Sequence, residues 1–203
     1  VSTGFTTPES VELQQMLNML LIANVKNVIM EISSHAIDLH RVDDIDVNIA
    51  VFSNLSPEHL DFHGDMDSYF KAKLKLFTKL NRKDIAILNN DDPCSRKIIK
   101  KTKANVITYG INNDADLHPL KKICSLDGIQ SELIYHNNKI QINTNLLGEY
   151  NLYNLMAGIA TCLSMDIDIY TINNALQCKL IIPGRMELIP CAVPGKIFID
   201  YAH

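Results

Sequence analysis

Apolar positions along the chain follow two rhythms, one helical and one strand-like. Val11, Leu13, Met16, Leu17, Leu20 and Leu21 share one face at helical spacing. Thr7-Pro8-Glu9 before them reads as a helix start: a hydroxyl N-cap, proline at the first helical position and an acid in the first turn. Asn27–Glu31 and Val47–Phe52 are short apolar runs of strand type, and the first ends on a carboxylate. A helix over Asp67–Leu80 follows, turning Tyr69, Phe70, Ala72, Leu74, Leu76 and Phe77 mostly inward. A strand at Ile85–Leu88, a helix at Asp92–Lys101 and a strand at Val106–Tyr109 continue the alternation.

Strands and helices in turn at this spacing predict an α/β fold with a mostly parallel sheet. The character changes after Gly110. Residues 120–144 read as short antiparallel strands, with a hairpin at His136-Asn137-Asn138. Helices are expected over Asn151–Ser164 and Ile169–Gln177. Strands are expected at Met186–Ile189 and Lys196–Asp200, around a turn at Val193-Pro194-Gly195.

Bulk properties narrow the function. The chain has 203 residues, 47% of them hydrophobic, and a net charge of −4. That length supports one domain, or one domain and a fragment. The charge gives no basic footprint for nucleic acid or an anionic membrane. The most apolar run, Met16–Val25, is too short to span a bilayer, and no signal peptide opens the chain, so a cytoplasmic protein is expected. Cys94, Cys124, Cys162, Cys178 and Cys191 form no C-x-x-C pair and read as reduced, mostly buried thiols.

Polar residues gather where strands are expected to end, the usual location of α/β sites. Glu31 is followed by Ser33-Ser34-His35, and Asn54 and Ser56 by His59, Asp61 and His63. A carboxylate, hydroxyls and imidazoles together suit a hard divalent cation that keeps its waters. The same residues serve equally well as helix caps and loop hydrogen-bonders, and spacing alone does not separate the two uses.

The block from Met30 to Phe77 resembles the central, ATP-binding domain of the Mur ligases. It reads E-x-S-S-H from Glu31, H-R-V from His40, H-L-D-F-H-G from His59, and A-K at Ala72-Lys73. It is most similar to the MurE branch, the UDP-N-acetylmuramoyl-L-alanyl-D-glutamate ligases. Thr6-Thr7-Pro8, Leu88-Asn89-Asn90-Asp91-Asp92-Pro93, Leu147-Gly148 with Asn151 and Asn154, Pro183-Gly184-Arg185-Met186-Glu187 and Asp200-Tyr201-Ala202-His203 resemble further family motifs. The likeness is weakest over 111–145.

The resemblance implies a ligase that activates a carboxylate with ATP as an acyl phosphate, which an incoming amine then opens. The substrates would be a UDP-N-acetylmuramoyl dipeptide, ATP and a third amino acid, meso-diaminopimelate before L-lysine, in cytoplasmic peptidoglycan synthesis. It implies Mg2+ held by Glu31 and His59, with Lys73 carried as a carbamate and completing the ligand set. Lys73 and His59 would be the catalytic pair. Thr6, Thr7, Ser33 and Arg41 would hold the nucleotide sugar. Asn151, Asn154, Arg185 and Asp200 would hold ATP. Residue by residue, plainer roles compete: a solvated helix lysine for Lys73 between Lys71 and Lys75, a surface pair with Asp43 or Asp44 for Arg41, and helix capping for Asn151. Phe5, Leu39 and Tyr150 depart mildly from the family pattern.

No G-x-x-G-K-S/T phosphate loop occurs in these residues. The expectation is therefore a central domain over 1–187, lacking its phosphate-loop strand and helix, with 188–203 opening a C-terminal domain. On that expectation the chain is an internal fragment, inactive by itself. Two other readings stay open: a non-catalytic remnant that binds the nucleotide sugar, and a folylpolyglutamate synthase-like ligase.

Overall fold

A computed structural model of the chain describes residues 6–178, 180–190 and 195–201. The fold is mixed α/β, with a mostly parallel six-stranded sheet and a separate two-stranded one. In chain order the elements are α1 (Ser10–Ile22), α2 (Ser34–Asp38), β1 (Ile49–Phe52), α3 (Leu60–His63), α4 (Met66–Lys79), β2 (Ile85–Asn89), α5 (Pro93–Ile99), β3 (Asn105–Tyr109), β4 (Leu117–Ser125), β5 (Gly128–Tyr135), β6 (Asn138–Thr144), α6 (Glu149–Ser164), α7 (Ile169–Leu176), β7 (Glu187–Ile189) and β8 (Ile197–Ile199). The large sheet runs β1-β2-β3-β4-β5-β6. The chain divides into two compact units, residues 1–50, 54–86 and 96–105 in the first and 51–53, 87–95 and 106–203 in the second.

In the first unit, Leu13 of α1 packs with Ala36 and Ile37 of α2 and with Val42, flanked by Leu17, Met30, Ile32, Ile45 and Leu76. Helix α4 turns Tyr69, Phe70, Ala72 and Phe77 inward. Asp65 caps it, its side chain accepting from Ser68 N at 2.7 Å. The Thr102 hydroxyl donates to the Phe77 carbonyl at 2.9 Å and ties the segment after α5 to the end of α4.

Two expectations change here. Helix α1 starts at Ser10, with Glu9 as an N-cap that contributes no side-chain bond. The Thr7 hydroxyl is used elsewhere, as described below. The expected face of α1 is also only partly covered: Leu13 is buried, whereas Val11 is 69% and Leu21 72% exposed. Asn27–Glu31 is not a strand. It runs without ladder partners among the described residues, and Ile29 is 95% exposed. An apolar run becomes a strand only when a neighbour pairs its backbone groups.

In the second unit, β4, β5 and β6 form an antiparallel meander. The hairpin falls where expected: Tyr135 pairs with Asn138, and His136 takes φ +52° in the turn between them. Alternate residues Ile129, Leu133, Ile140 and Ile142 point into the core. Helix α7 packs on β6, and α6 meets β4. Leu152, Met156, Ile159 and Ala160 form the sunken face of α6. At Gly128, φ is +133° and a Cβ would lie 2.0 Å from the Thr144 carbonyl oxygen, so only glycine permits this strand approach.

Strands β7 and β8 pair antiparallel, Glu187 with Ile199 and Ile189 with Ile197. Val193 and Pro194 of the expected turn, Cys191, and the Ala202-His203 end of the last motif lie outside the described residues. Cys94, Cys124, Cys162 and Cys178 are thiols, but none is buried and Cys124 and Cys178 are exposed, against the expectation of mostly buried cysteines.

Candidate functional site

In the first unit, Thr7 knots the N-terminal segment to the loop before α2. It is 1% exposed. Its hydroxyl donates to the Glu31 carbonyl at 2.9 Å and accepts from Ser33 N at 3.0 Å. Ser33 in turn caps α2, its hydroxyl accepting from Ala36 N at 3.1 Å. Arg41 completes the knot, donating to the Thr7 carbonyl at 3.2 Å and pairing with Glu9 at 2.6 Å. The expected partners of Arg41 are otherwise engaged or elsewhere: Asp43 pairs with Lys79 at 2.7 Å and with His40 at 2.6 Å. Thr6, by contrast, is exposed. Thr7 therefore supports the loop from inside, while Thr6 is the member of the pair open to a ligand.

A ring cluster lies beside this knot. The ring centroids of His35 and His59 are 5.0 Å apart, those of His35 and Phe62 4.1 Å, and His63 stacks on Tyr69 at 4.9 Å. His59 sits in the left-handed region, φ +57°, where it begins α3. That conformation is uncommon for a residue with a Cβ. His63, one of the imidazoles considered for a cation, is committed inside: its Nε2 meets the Ser34 hydroxyl at 2.9 Å and its Nδ1 the Asp38 carboxylate at 3.3 Å. Burial, reinforced by His59 and His63, holds His35 below the ordinary 6.5 of an imidazole.

Lys73 lies over the Tyr69 ring, its Nζ 5.2 Å from the centroid. Tyr69 and Lys73 are four residues apart on α4, so a helix places them on one face. Its neighbours Lys71 and Lys75 turn to Asp67 and Asp38, at 3.1 and 2.5 Å. Burial pulls the Lys73 amine below its ordinary 10.5, against the opposing charges of Glu31 and Glu58. The plain solvated-lysine role thus describes Lys71 better than Lys73.

Three residues of this cluster escaped the reading from sequence: His35 as a ring partner, Glu58, and Tyr69 as more than a core residue. The i, i+4 spacing of Tyr69 and Lys73 was the available signal. Among the described residues no three His, Cys, Asp or Glu side chains converge tightly enough to hold a metal alone. Glu31 and His59 are both exposed, and Glu31 acts on the charge of Lys73. One carboxylate, one imidazole and an oxygen from a modified Lys73 fit a hard ion that keeps several waters.

The second unit holds the other candidates. Asn151 is 4% exposed; its amide donates to the Leu147 carbonyl at 2.8 Å and accepts from Asn154 at 3.3 Å. It therefore braces the start of α6 and steadies Asn154, which is exposed. The N-cap of α6 is Gly148, so Asn151 is not the cap. Asp200 accepts from Met186 N at 2.8 Å, which brings it to the Gly184–Glu187 turn carrying exposed Arg185. Burial first, then Asp200, raises the Tyr150 hydroxyl, with Arg185 opposing. Tyr150, Arg185 and Asp200 thus share one electrostatic neighbourhood beside Asn154. A cavity of about 470 Å³ near Val42, Asp43, Lys79 and Asp84 includes none of the candidate residues.

A mostly parallel α/β sheet with these polar strand-end segments defines the class. The profile of the Mur ligase middle domain matches residues 1–162, and the chain belongs to that family. Within the family it is similar to UDP-N-acetylmuramoyl-L-alanyl-D-glutamate--2,6-diaminopimelate ligases. That of Geobacter sulfurreducens is 37% identical over 209 residues, covering 100% of this chain and 41% of that protein. That of Bacillus velezensis is 40% identical over 204 residues, covering 98% and 42%. A solved structure of a ligase with the same name superposes with TM-score 0.82 at 28% identity, over 92% of this chain and 39% of that one. An L. casei FPGS shares the fold at TM-score 0.65 and 18% identity. The chain spans about two fifths of the length of these curated relatives.

Proposed function

We propose that this chain forms the ATP-handling part of a ligase that adds the third amino acid to UDP-N-acetylmuramoyl-L-alanyl-D-glutamate. Residues 1–187 belong to the central domain on this reading, and 188–203 open the C-terminal domain. meso-Diaminopimelate is the favoured amino acid, because relatives at 35–40% identity are named for it; L-lysine is the alternative. The observation that carries the proposal is the position of Lys73, desolvated over Tyr69 with Glu31 and Glu58 acting on its charge. A lowered amine pKa leaves more neutral amine, the form that captures CO2 as a carbamate.

In the reaction a carboxylate oxygen of the dipeptide attacks the γ-phosphorus of ATP and ADP leaves. The amine of the third residue then attacks the acyl carbon, phosphate departs, and the nitrogen loses its proton. Such chemistry depends on positioning and charge neutralisation more than on covalent help from the protein. Glu31, His59 and carbamylated Lys73 would hold magnesium, which when bound neutralises charge on the phosphate oxygens. Thr7, Ser33 and Arg41 keep the loop carrying Glu31 in place, and Thr6 and Arg41 offer a hydroxyl and a guanidinium to the nucleotide sugar. Asn154 presents an amide to the adenine, while Arg185 and Asp200 serve phosphate and ribose.

Isotope transfer tests the route. Dipeptide substrate labelled with 18O in the accepting carboxylate is turned over by the complete gene product. One label per turnover should appear in inorganic phosphate. Unlabelled phosphate beside amide product would rule out the acyl phosphate.

A further inference from the structure

We infer that Asp91 and Tyr153 form a positioning pair that sets the rotation of α6 and so aims Asn154 at the nucleotide. This rests on the reading of Asn154 as an adenine-side residue.

Asp91 follows β2 and is unusually rigid for a loop carboxylate. Oδ2 accepts from Ile111 N at 2.6 Å and Asn112 N at 3.0 Å, and Oδ1 from Asn113 N at 2.7 Å and Asn113 Nδ2 at 2.8 Å. Its own amide donates to Asn89 Oδ1 at 3.0 Å, and the Asn89 side chain, in a residue only 7% exposed, donates to the Ser53 carbonyl at 2.7 Å. The carboxylate is thus fixed from both sides. It then takes one bond that this loop does not need: Tyr153 Oη donates to Oδ2 at 2.7 Å. Asn112 Nδ2 donates to the same hydroxyl at 3.1 Å, which sets the direction of its proton.

Tyr153 sits on α6 immediately before Asn154 and two residues after Asn151. Helix α6 gains depth from Leu152, Met156, Ile159 and Ala160, but apolar packing is non-directional and fixes rotation weakly. Its N-cap, Gly148, offers no side chain to define the first turn. The Lys122–Glu149 pair at 2.5 Å is a surface ion pair, a weak tether. A short bond to a saturated, immobile carboxylate is the directional restraint that remains. It acts within one residue of the amide that must be aimed. A 1 Å error there is the kind that binding sites register.

The test uses the complete gene product, with ATP varied at saturating co-substrates. Tyr153→Phe keeps the ring and removes the hydroxyl. It should raise KM for ATP on the order of tenfold, as loss of a bond to a charged acceptor does, with kcat falling less than twofold. A purely structural role would lower the melting temperature without singling out ATP. Asn154→Ala should also raise KM for ATP. Asp91→Asn with Tyr153→Phe should raise it no further than Asp91→Asn alone, because the two act through one bond. If Asn154→Ala raises KM for ATP and Tyr153→Phe does not, the pair has no positioning role and the adenine-side reading stands. Additive effects in the double variant likewise overturn the pair. If Asn154→Ala leaves KM unchanged, the adenine-side reading falls and takes this inference with it.

Discussion

Replacing Thr7 by Val tests the knot that holds Glu31 and Ser33. The side chains are nearly the same shape, so the change removes one hydroxyl and little packing. Two backbone groups lose their partner: the Glu31 carbonyl, bonded at 2.9 Å, and the Ser33 amide, bonded at 3.0 Å. Each would cost about 1–3 kcal/mol if left dry. Glu31 is exposed and Ser33 only half-buried, so water replaces part of what is lost. A total of about 1–2 kcal/mol follows, or a melting temperature lower by roughly 2–8 °C for a domain of this size. The freed loop carries Glu31 and Ser33, so KM for the nucleotide sugar should rise while KM for ATP stays near the wild type. Differential scanning calorimetry and steady-state kinetics measure both effects. Thr7→Ser keeps the hydroxyl and should retain sugar binding. If Thr7→Val melts with the wild type and binds the sugar equally well, the hydroxyl does not hold the loop.

Other perturbations follow from the same structure. Phe77→Ala, at a side chain 2% exposed in the core of the first unit, should cost about 3–5 kcal/mol in chemical denaturation; a loss under about 1 kcal/mol would mean the core closes around the gap. Burial pushes the Asp91 carboxyl up, but the hydroxyl of Tyr153 and three backbone amides outweigh it and hold it below the ordinary 3.8. A depressed carboxyl stabilises the fold above its unfolded value, and that contribution is lost as pH falls through the folded one. The melting temperature should therefore drop more steeply below about pH 4 in the wild type than in Asp91→Asn, and parallel acid limbs would contradict this.

Much of the fold was legible because it rests on local periodicity. The α4 pattern from Tyr69 to Phe77 and the two-residue turn after Tyr135 are specified by their own neighbours in sequence. What stayed hidden depends on partners far along the chain. Thr7 reads as a cap because nothing nearby shows that Ser33, 26 residues on, claims its hydroxyl. Asn27–Glu31 has strand composition, yet strand formation depends on a neighbour that composition does not supply. Arg41 was assigned two adjacent acids, whereas its partner Glu9 lies 32 residues earlier, brought close by α1 packing on Val42 and α2. For the site, the motifs placed Glu31, His59 and Lys73 on one page. The ring cluster of His35, His63 and Tyr69 that surrounds them emerged only from the fold. The cysteines show the reverse case, a general preference for burial that these four positions do not follow.

Lys73 offers the most direct test of the account. ADP release by the complete gene product would be measured with magnesium, ATP, UDP-N-acetylmuramoyl-L-alanyl-D-glutamate and meso-diaminopimelate, for the wild type and Lys73→Ala. Turnover should require both the nucleotide sugar and the amino acid. Lys73→Ala should lower it by at least about a hundredfold, the scale of losing one electrostatic stabiliser of a transition state. Turnover that ignores the nucleotide sugar, or survives in Lys73→Ala, would contradict the account.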